Sequence, residues 1–263
     1  MKKISLSGKI GITLISLYLL IALFGPLLAP SDIGRVNLDN ALSTPNSSNF
    51  FGTDENGTDL LSLILHGGRT GFIVSAVTVL CGMFIGGILG AFSGYKRGIY
   101  DQVIMRSVDI VFSFPGLLLN LYVLSLVKQP THLHMIFALC ITSWASFARL
   151  SRGNALSIAR RDYIIALQTM GASTYRIVFR HIIPNLLPTL LIQFSFSFAT
   201  YLLVEAGLAF LGLAPPTPSW GNLIAQGTSY LLVAPHMVLI PGAFLGLAVL
   251  GANLLGDGLR DML

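Results

Sequence analysis

Three charged side chains lie in strongly apolar stretches of the chain, where ionised groups are costly, and they are the first candidates for chemistry. Arg106 and Asp109 are three residues apart near one end of such a stretch, a spacing that predicts an ion pair along one helix face. Glu205 comes about twenty residues into another stretch, near its far end. It either faces a polar pathway or lies at the outer interface, and the sequence leaves both open. All three are therefore candidates for a pathway or gating role.

A second candidate site is the polar, basic loop at about residues 151–185, between two apolar stretches. Helix-forming residues precede Gly171 in this loop. The pattern predicts a short surface helix, with Ala166, Gly171 and Ala172 allowing close approach of a partner because they are small. A chain this apolar has little other reason to build such a loop, so we predict that another protein docks there.

Motifs for catalysis or nucleotide binding are not present in the sequence. It contains no G-x-x-x-x-G-K-[ST] phosphate-binding loop, and the serine in residues 90–94 is one place too late for G-x-S-x-G. His132 and His134 flank a single residue and would make an incomplete metal site. We therefore expect no catalytic residue, no metal and no cofactor in this chain, which we do not expect to be an enzyme.

The composition indicates a membrane protein. The 263 residues have a mean hydropathy of +0.76 and only 10% charged residues, against roughly 25% in soluble domains. A helix needs about 20 apolar residues to cross the hydrocarbon core. Such runs occur at roughly 9–29, 71–95, 103–127, 133–150, 186–211 and 231–256. The sequence thus predicts an all-α, polytopic protein with six transmembrane helices and both termini on the same side.

The distribution of Lys and Arg predicts which side that is, because cationic loops resist translocation. One set of loops carries only Arg35, Arg69 and Lys128. The other set carries the remaining 13 of the 16 basic residues: Lys2, Lys3, Lys9, Lys96, Arg97, Arg106, Arg149, Arg152, Arg160, Arg161, Arg176, Arg180 and Arg260. Both termini and the loop at 151–185 are predicted to be cytoplasmic, and this bias accounts for the net charge of +5.

The N-terminal apolar run has basic residues before it, as a signal peptide would. Its length of about 20 residues exceeds the usual signal core and no A-x-A site follows it, so we expect it to be retained as a membrane anchor. We divide the chain into residues 1–70, an N-terminal helix with an external loop, and residues 71–263, a core of five helices. Around residues 58–65 a short helix on the outer interface is predicted.

Glycine and proline positions predict packing and bends. Gly82, Gly86, Gly90 and Gly94 recur every fourth residue on one helix face. They indicate either close packing within the chain or a surface along which helices slide during gating. Pro115, inside the third span, is expected to kink its helix, and Pro184 is expected to mark where the loop re-enters the membrane.

Several sequence blocks resemble the permeases of peptide, dipeptide and nickel ATP-binding-cassette (ABC) importers, particularly the second of their two paralogous permease subunits. Phe51-Gly52-Thr53-Asp54 resembles an external block of the family, and Asp101 to Phe114-Pro115 resembles the next. Glu205 to Leu213, Pro218 to Gly221 and Asn253 to Asp261 resemble three further blocks. The five blocks occur in order over nearly the whole chain. The resemblance implies the type I ABC importer permease fold.

In this family a loop signature E-A-A-x-x-x-G forms a coupling helix that sits in a cleft of the ATPase subunit. When the signature is aligned with this sequence, Ile165 takes the position of the glutamate, Ala166 and Leu167 those of the alanines, and Gly171 that of the glycine. The chain departs from the signature at Ile165 and Leu167. The coupling residues implied are Asp162, Ile165, Ala166, Leu167, Gly171, Ala172 and Ser173.

The resemblance also implies partners and a location. The partners are a paralogous permease, two ATPase subunits that bind ATP and Mg²⁺, and an external solute-binding protein, in the bacterial cytoplasmic (inner) membrane. The substrate stays open among oligopeptides, dipeptides, nickel chelates and other small solutes, and the second permease could also be another copy of this chain. An alternative function is an ATP-independent channel or secondary transporter.

Overall fold

The computed structural model describes residues 5–262 and confirms the all-α fold. Within that range it contains ten α-helices, α1 to α10. They span Leu6–Leu28, Leu60–Lys96, Gly98–Phe112, Gly116–Ser125, His132–Ile158, Asp162–Thr169, Thr174–Ile177, Ile183–Phe210, Trp220–Thr228 and His236–Met262. A π-helical turn, Val178–Ile182, joins α7 to α8, so that the chain is helical without a break from Thr174 to Phe210.

Five of these helical stretches are long and apolar enough to cross a membrane: α1, α2, α5, α7–α8 and α10. The third predicted span is broken into α3 and α4, which are bent by 83°. Pro115 is the N-cap of α4, and because proline disfavours helical conformation in the residue before it, the helix stops there. The prediction of six spans holds when this bent pair is counted as one.

The packing of the spans separates two ends of the bundle. Glycines at successive turns of α2 meet successive turns of α5, so these two helices run in the same direction. α1 and α10 run in opposite directions, with Gly11 against Leu255 and Gly251 against Leu14. One end of the bundle, called here the loop end, therefore holds the start of α1, the end of α2, α6 and the end of α10. Residues 29–59 and α9 lie at the opposite end.

Several helix boundaries differ from the sequence prediction. The helix predicted at residues 58–65 is continuous with the next span, because Asp59 caps a single long α2 by accepting from Ser62 N at 2.8 Å. The division of the chain between residues 70 and 71, a position within this helix, stays a prediction. α9 was not predicted, and α10 begins at His236 rather than at 231. α9 is amphipathic, with Trp220, Leu223 and Ile224 at helical spacing, but its nine residues are too few for a search for membrane-spanning apolar runs to find it.

The glycine stripe of α2 packs against α5 within the chain. A Cβ on Gly86 would lie 2.8 Å from both Ala148 N and Phe147 Cβ, and one on Gly94 would lie 2.9 Å from Ala155 Cβ. The two backbones approach so closely that only hydrogen fits between them, the geometry that drives helix association in lipid. The structure therefore supports the first of the two interpretations, packing within one protomer.

This packing makes Gly86 sensitive to a single methyl group. We expect Gly86→Ala to destabilise the folded chain by about 1–3 kcal/mol, because the neighbouring α5 backbone cannot move away cheaply. Gly87→Ala is the matched control, since the nearest atom to its Cβ would be Leu190 Cδ1 at 3.5 Å, an ordinary contact. Equilibrium unfolding in mixed detergents measures both. Equal stability of the two variants would contradict the close packing of α2 on α5.

Candidate functional site

The short helix α6 lies where the loop was predicted, at the loop end of the bundle. Ile164 is fully buried and packs in the same apolar cluster as Ile158 at the end of α5 and Ile177 at the end of α7. Asp162 occupies the first turn, where a negative charge is favourable to the helix dipole. The buried Ile164 side chain thus anchors the helix to the core, while most other residues of α6 are exposed.

Gly171 ends α6 through a specific backbone arrangement. Its φ is +78°, the left-handed region that glycine adopts without strain. Gly171 N donates to Gln168 O and Ala172 N donates to Leu167 O, each at 3.0 Å, the pair of bonds of a Schellman motif. No heavy atom lies within 4 Å of the place a Cβ would take on Gly171, so this position is open to the outside.

The predicted coupling residues divide into two groups by exposure. Asp162, Ile165, Ala166, Gly171 and Ser173 are exposed. The other two, Leu167 and Ala172, are half-buried against the chain's own core, so their side chains help hold α6 in place. Ser173 also caps α7, its hydroxyl accepting from Arg176 N at 3.3 Å.

Around α6 the loop exposes more apolar surface than folding requires. Met170 is 81% exposed and Tyr175 is 72% exposed, and Tyr163, Ile165 and Phe179 are exposed as well. The exposed arginines of the same region are Arg160, Arg161, Arg176 and Arg180, and none of them forms an ion pair with any residue between 5 and 262. Exposed apolar groups with a polar rim are typical of a protein interaction site.

Two hydrogen bonds connect α6 to the spans. Gln168 Nε2 donates to the hydroxyl of Tyr95, near the end of α2, at 3.2 Å. Asn185 Nδ2, in the first turn of α8, donates to the hydroxyl of Tyr163 at 3.4 Å. A displacement of α6 would therefore act on both α2 and α8.

An ion pair that sequence reasoning missed lies beside this site. Arg152 on α5 forms two hydrogen bonds with the Asp101 carboxylate on α3, from Nε at 2.5 Å and from an Nη at 2.7 Å. Ser93 on α2 donates to the same carboxylate at 2.5 Å. Three helices therefore meet on one carboxylate at the loop end. The partners are 51 residues apart, and only a known helix arrangement could have paired them.

The predicted pair of Arg106 and Asp109 is wrong. Asp109 accepts instead from Arg149 of α5 at 3.0 Å, and the Arg149 guanidinium lies 4.2 Å from the centre of the Phe112 ring. Packing of α3 on α5 brings this arginine closer to the carboxylate than the neighbour on its own helix. No ion pair of Arg106 occurs among residues 5–262.

Glu205 does not lie at an exposed interface of the protomer, which was one of the two surroundings considered from sequence. It is 1% exposed and is buried inside the protomer, between α8, α2 and α1. Its Oε1 atom has no hydrogen-bond partner. A pathway role for this side chain stays a prediction.

Comparison with known proteins agrees with this arrangement. The sequence model of a family described as "Binding-protein-dependent transport system inner membrane component" matches residues 86–263. The chain belongs to this family of membrane permease components of ATP-driven importers.

Individual relatives place it within the family. The oligopeptide transport system permease protein OppC of Bacillus subtilis is 35% identical over 259 residues, covering 97% of this chain and 84% of the relative. The dipeptide permease DppC of Alkalihalophilus pseudofirmus is 35% identical over 256 residues, with coverage of 97% and 84%. The glutathione permease GsiD of Pectobacterium atrosepticum is 38% identical over 250 residues, covering 94% and 83%. The chain is thus similar over nearly its full length to permeases of peptide importers.

Proposed function

We propose that this chain is the permease subunit of an importer of peptides or related small solutes and that it is driven by separate ATPase subunits bound at α6. It forms the translocation pathway together with a paralogous permease, and ATP and Mg²⁺ bind to the ATPases. An external solute-binding protein delivers the substrate. The names of the relatives, which transport oligopeptides, dipeptides and glutathione, support the peptide class.

The burial pattern of α6 is the observation that supports ATPase docking at this helix. α6 has its inward side chain, Ile164, fully buried and its outward side chains exposed at an end of the bundle. The outward side is apolar at Ile165 and Met170, and it lacks the carboxylate that the family signature has at position 165. An ATPase cleft with an apolar floor fits this helix, and acidic groups at its rim would complement the four exposed arginines.

The mechanism follows from the connections of α6. Closure of the ATPases on ATP moves the cleft that holds α6. The buried Ile164 and the hydrogen bonds from Gln168 to Tyr95 and from Asn185 to Tyr163 pass this displacement to α2 and α8. The π-helical turn Val178–Ile182 directly precedes α8, the helix that carries Asn185, and such turns are frequent at functional sites. The pathway then alternates between inward-open and outward-open forms.

The orientation in the membrane is part of the proposal. α6, its four exposed arginines and the basic residues at the end of α2 all lie at the loop end. Positively charged loops stay on the cytoplasmic side, so we place the loop end and both termini in the cytoplasm of a bacterial cell with the chain in its inner membrane. Lys2 and Lys3, which contributed to this prediction, lie outside the described residues.

Affinity purification of the tagged chain from native membranes tests the function. We expect ATPase and second permease subunits to co-purify, and we expect Ala166→Arg to reduce the recovered ATPase by tenfold or more, about 1.4 kcal/mol, because the new side chain occupies the docking face. Leu232→Arg is the matched control, since Leu232 is almost fully exposed in the loop before α10 at the opposite end. A wild-type chain that transports solute with no ATPase bound would instead favour a channel or secondary transporter.

A further inference from the structure

Two buried polar groups converge on the same point of α2. A Cβ on Gly71 would lie 3.2 Å from the Tyr18 hydroxyl and 3.5 Å from Glu205 Oε2. Tyr18 belongs to α1 and Glu205 to α8, so three helices meet there. Neither the Tyr18 hydroxyl nor Glu205 Oε1 has a hydrogen-bond partner, although both residues are buried.

The surroundings of this point are apolar and uncharged. The Tyr18 ring stacks on Trp220 at 5.0 Å and meets the edge of Phe72 at 5.3 Å. The indole N–H of Trp220 is already used, since it donates to Ile64 O at 3.0 Å. Leu202 Cδ1 would lie 3.1 Å from a Cβ on Gly71, so there is little free space beside the two oxygens.

No cation faces Glu205 from the helices packed around it in residues 5–262. On α2 the nearest titratable side chains are His66, whose ring nitrogen is within 2.9 Å of Ser62 O, and Arg69, which is exposed. α1 contributes Tyr18, while its other titratable residue, Lys9, is exposed near the start of the helix, nine residues earlier. α9 contributes the indole of Trp220. Both ion pairs of the described chain lie elsewhere. An ionised Glu205 would therefore have neither a counter-charge nor a donor for Oε1, an unfavourable state in an apolar interior.

We infer that Glu205 binds a proton and keeps it as a neutral carboxyl group, and that a small side-chain rotation brings it into a hydrogen bond with the Tyr18 hydroxyl, which has no partner in the structure. A protonated carboxyl group has one donor and an acceptor, and so does a phenol hydroxyl, so the two groups can satisfy each other. A proton needs no cavity, whereas a metal ion needs several oxygen ligands that this point does not offer. The pair joins α1, which precedes the region matched by the family, to α8, which lies within it.

The sequence makes this proton directly observable because the chain has only two glutamates, Glu55 and Glu205. We would label glutamate with ¹³C at the side-chain carboxyl carbon and record infrared spectra of the full chain in lipid bilayers at pH 7. We expect a label-sensitive carbonyl stretching band of a protonated carboxyl group. It should persist in Glu55→Gln and disappear in Glu205→Gln.

The partner of the proton is tested in the same spectra. Tyr18→Phe removes only the hydroxyl, so the carbonyl band should persist and change frequency as one hydrogen bond is lost. A band that Tyr18→Phe leaves unmoved would overturn the pairing with Tyr18. Absence of any Glu205-dependent carbonyl band at pH 7 would overturn the inference as a whole. The measurement involves neither ATPase binding nor transport, so its outcome is independent of the proposed function.

Discussion

Arginine in place of Gly171 is expected to abolish ATPase association while leaving the chain folded in the membrane. Position 171 is exposed and no heavy atom lies within 4 Å of the place a Cβ would take, so the new side chain projects outward. A large charged group just past the end of α6, within the proposed docking surface, should cost about 2 kcal/mol or more, roughly a thirtyfold loss of affinity. The measurement is the amount of ATPase that co-purifies with the tagged chain.

Gly171→Ala separates this effect from backbone strain. Alanine and arginine both have to adopt the φ of +78°, at a cost of about 1–2 kcal/mol, but only arginine adds bulk to the outer face. Gly171→Asn reduces the strain further, because asparagine tolerates this conformation. We expect alanine and asparagine to retain ATPase binding. Equal loss with alanine and arginine would show that the end of α6 matters for its shape alone and would refute direct contact at this position.

The second large effect is expected at the Arg152–Asp101 ion pair. Its side chains are 35% and 17% exposed, its geometry is bidentate, and Ser93 donates to the same carboxylate. A double-mutant cycle with Arg152→Ala and Asp101→Asn should give a coupling free energy of about 1–2 kcal/mol, less than for a fully buried pair because of the partial exposure. Arg152→Lys should recover only part of it, since an ammonium group cannot form the two parallel bonds.

The pair of Arg149 and Asp109 is a control within the same protein. It joins the same two helices, α5 and α3, but its side chains are 54% and 57% exposed. The corresponding cycle should give about 0–1 kcal/mol. Unfolding in mixed detergents measures both cycles. A coupling free energy for Arg149 and Asp109 as large as that for Arg152 and Asp101 would contradict the expectation that the less exposed, bidentate pair couples more strongly.

Ion pairs between different helices could not be predicted from the sequence. The spacing of Arg106 and Asp109 describes only neighbours on one helix, and α5 supplies a different arginine to that carboxylate from 40 residues away. The same holds for Asp101, which received no role from its sequence surroundings but binds Arg152 and Ser93 in the fold. Long-range pairing depends on which helices pack together, and hydropathy does not contain that information.

The sequence by itself determined the features that depend on local chemistry. The length of apolar runs decides how many helices can cross a membrane, the proline at 115 breaks a span, and Gly171 ends α6 because glycine takes a positive φ at no cost. The blocks shared with the permease family are likewise local and identified the family.

Only the tertiary structure decided which faces of those elements are buried. It showed that Leu167 and Ala172 pack against the core while Ile165 and Ala166 are exposed, although all four lie within eight residues of one another. It also placed Glu205 in the interior beside Tyr18, 187 positions earlier in the chain. Burial is a property of helix packing, in which residues distant in sequence exclude water from one another, and local sequence patterns specify the helices but not their neighbours.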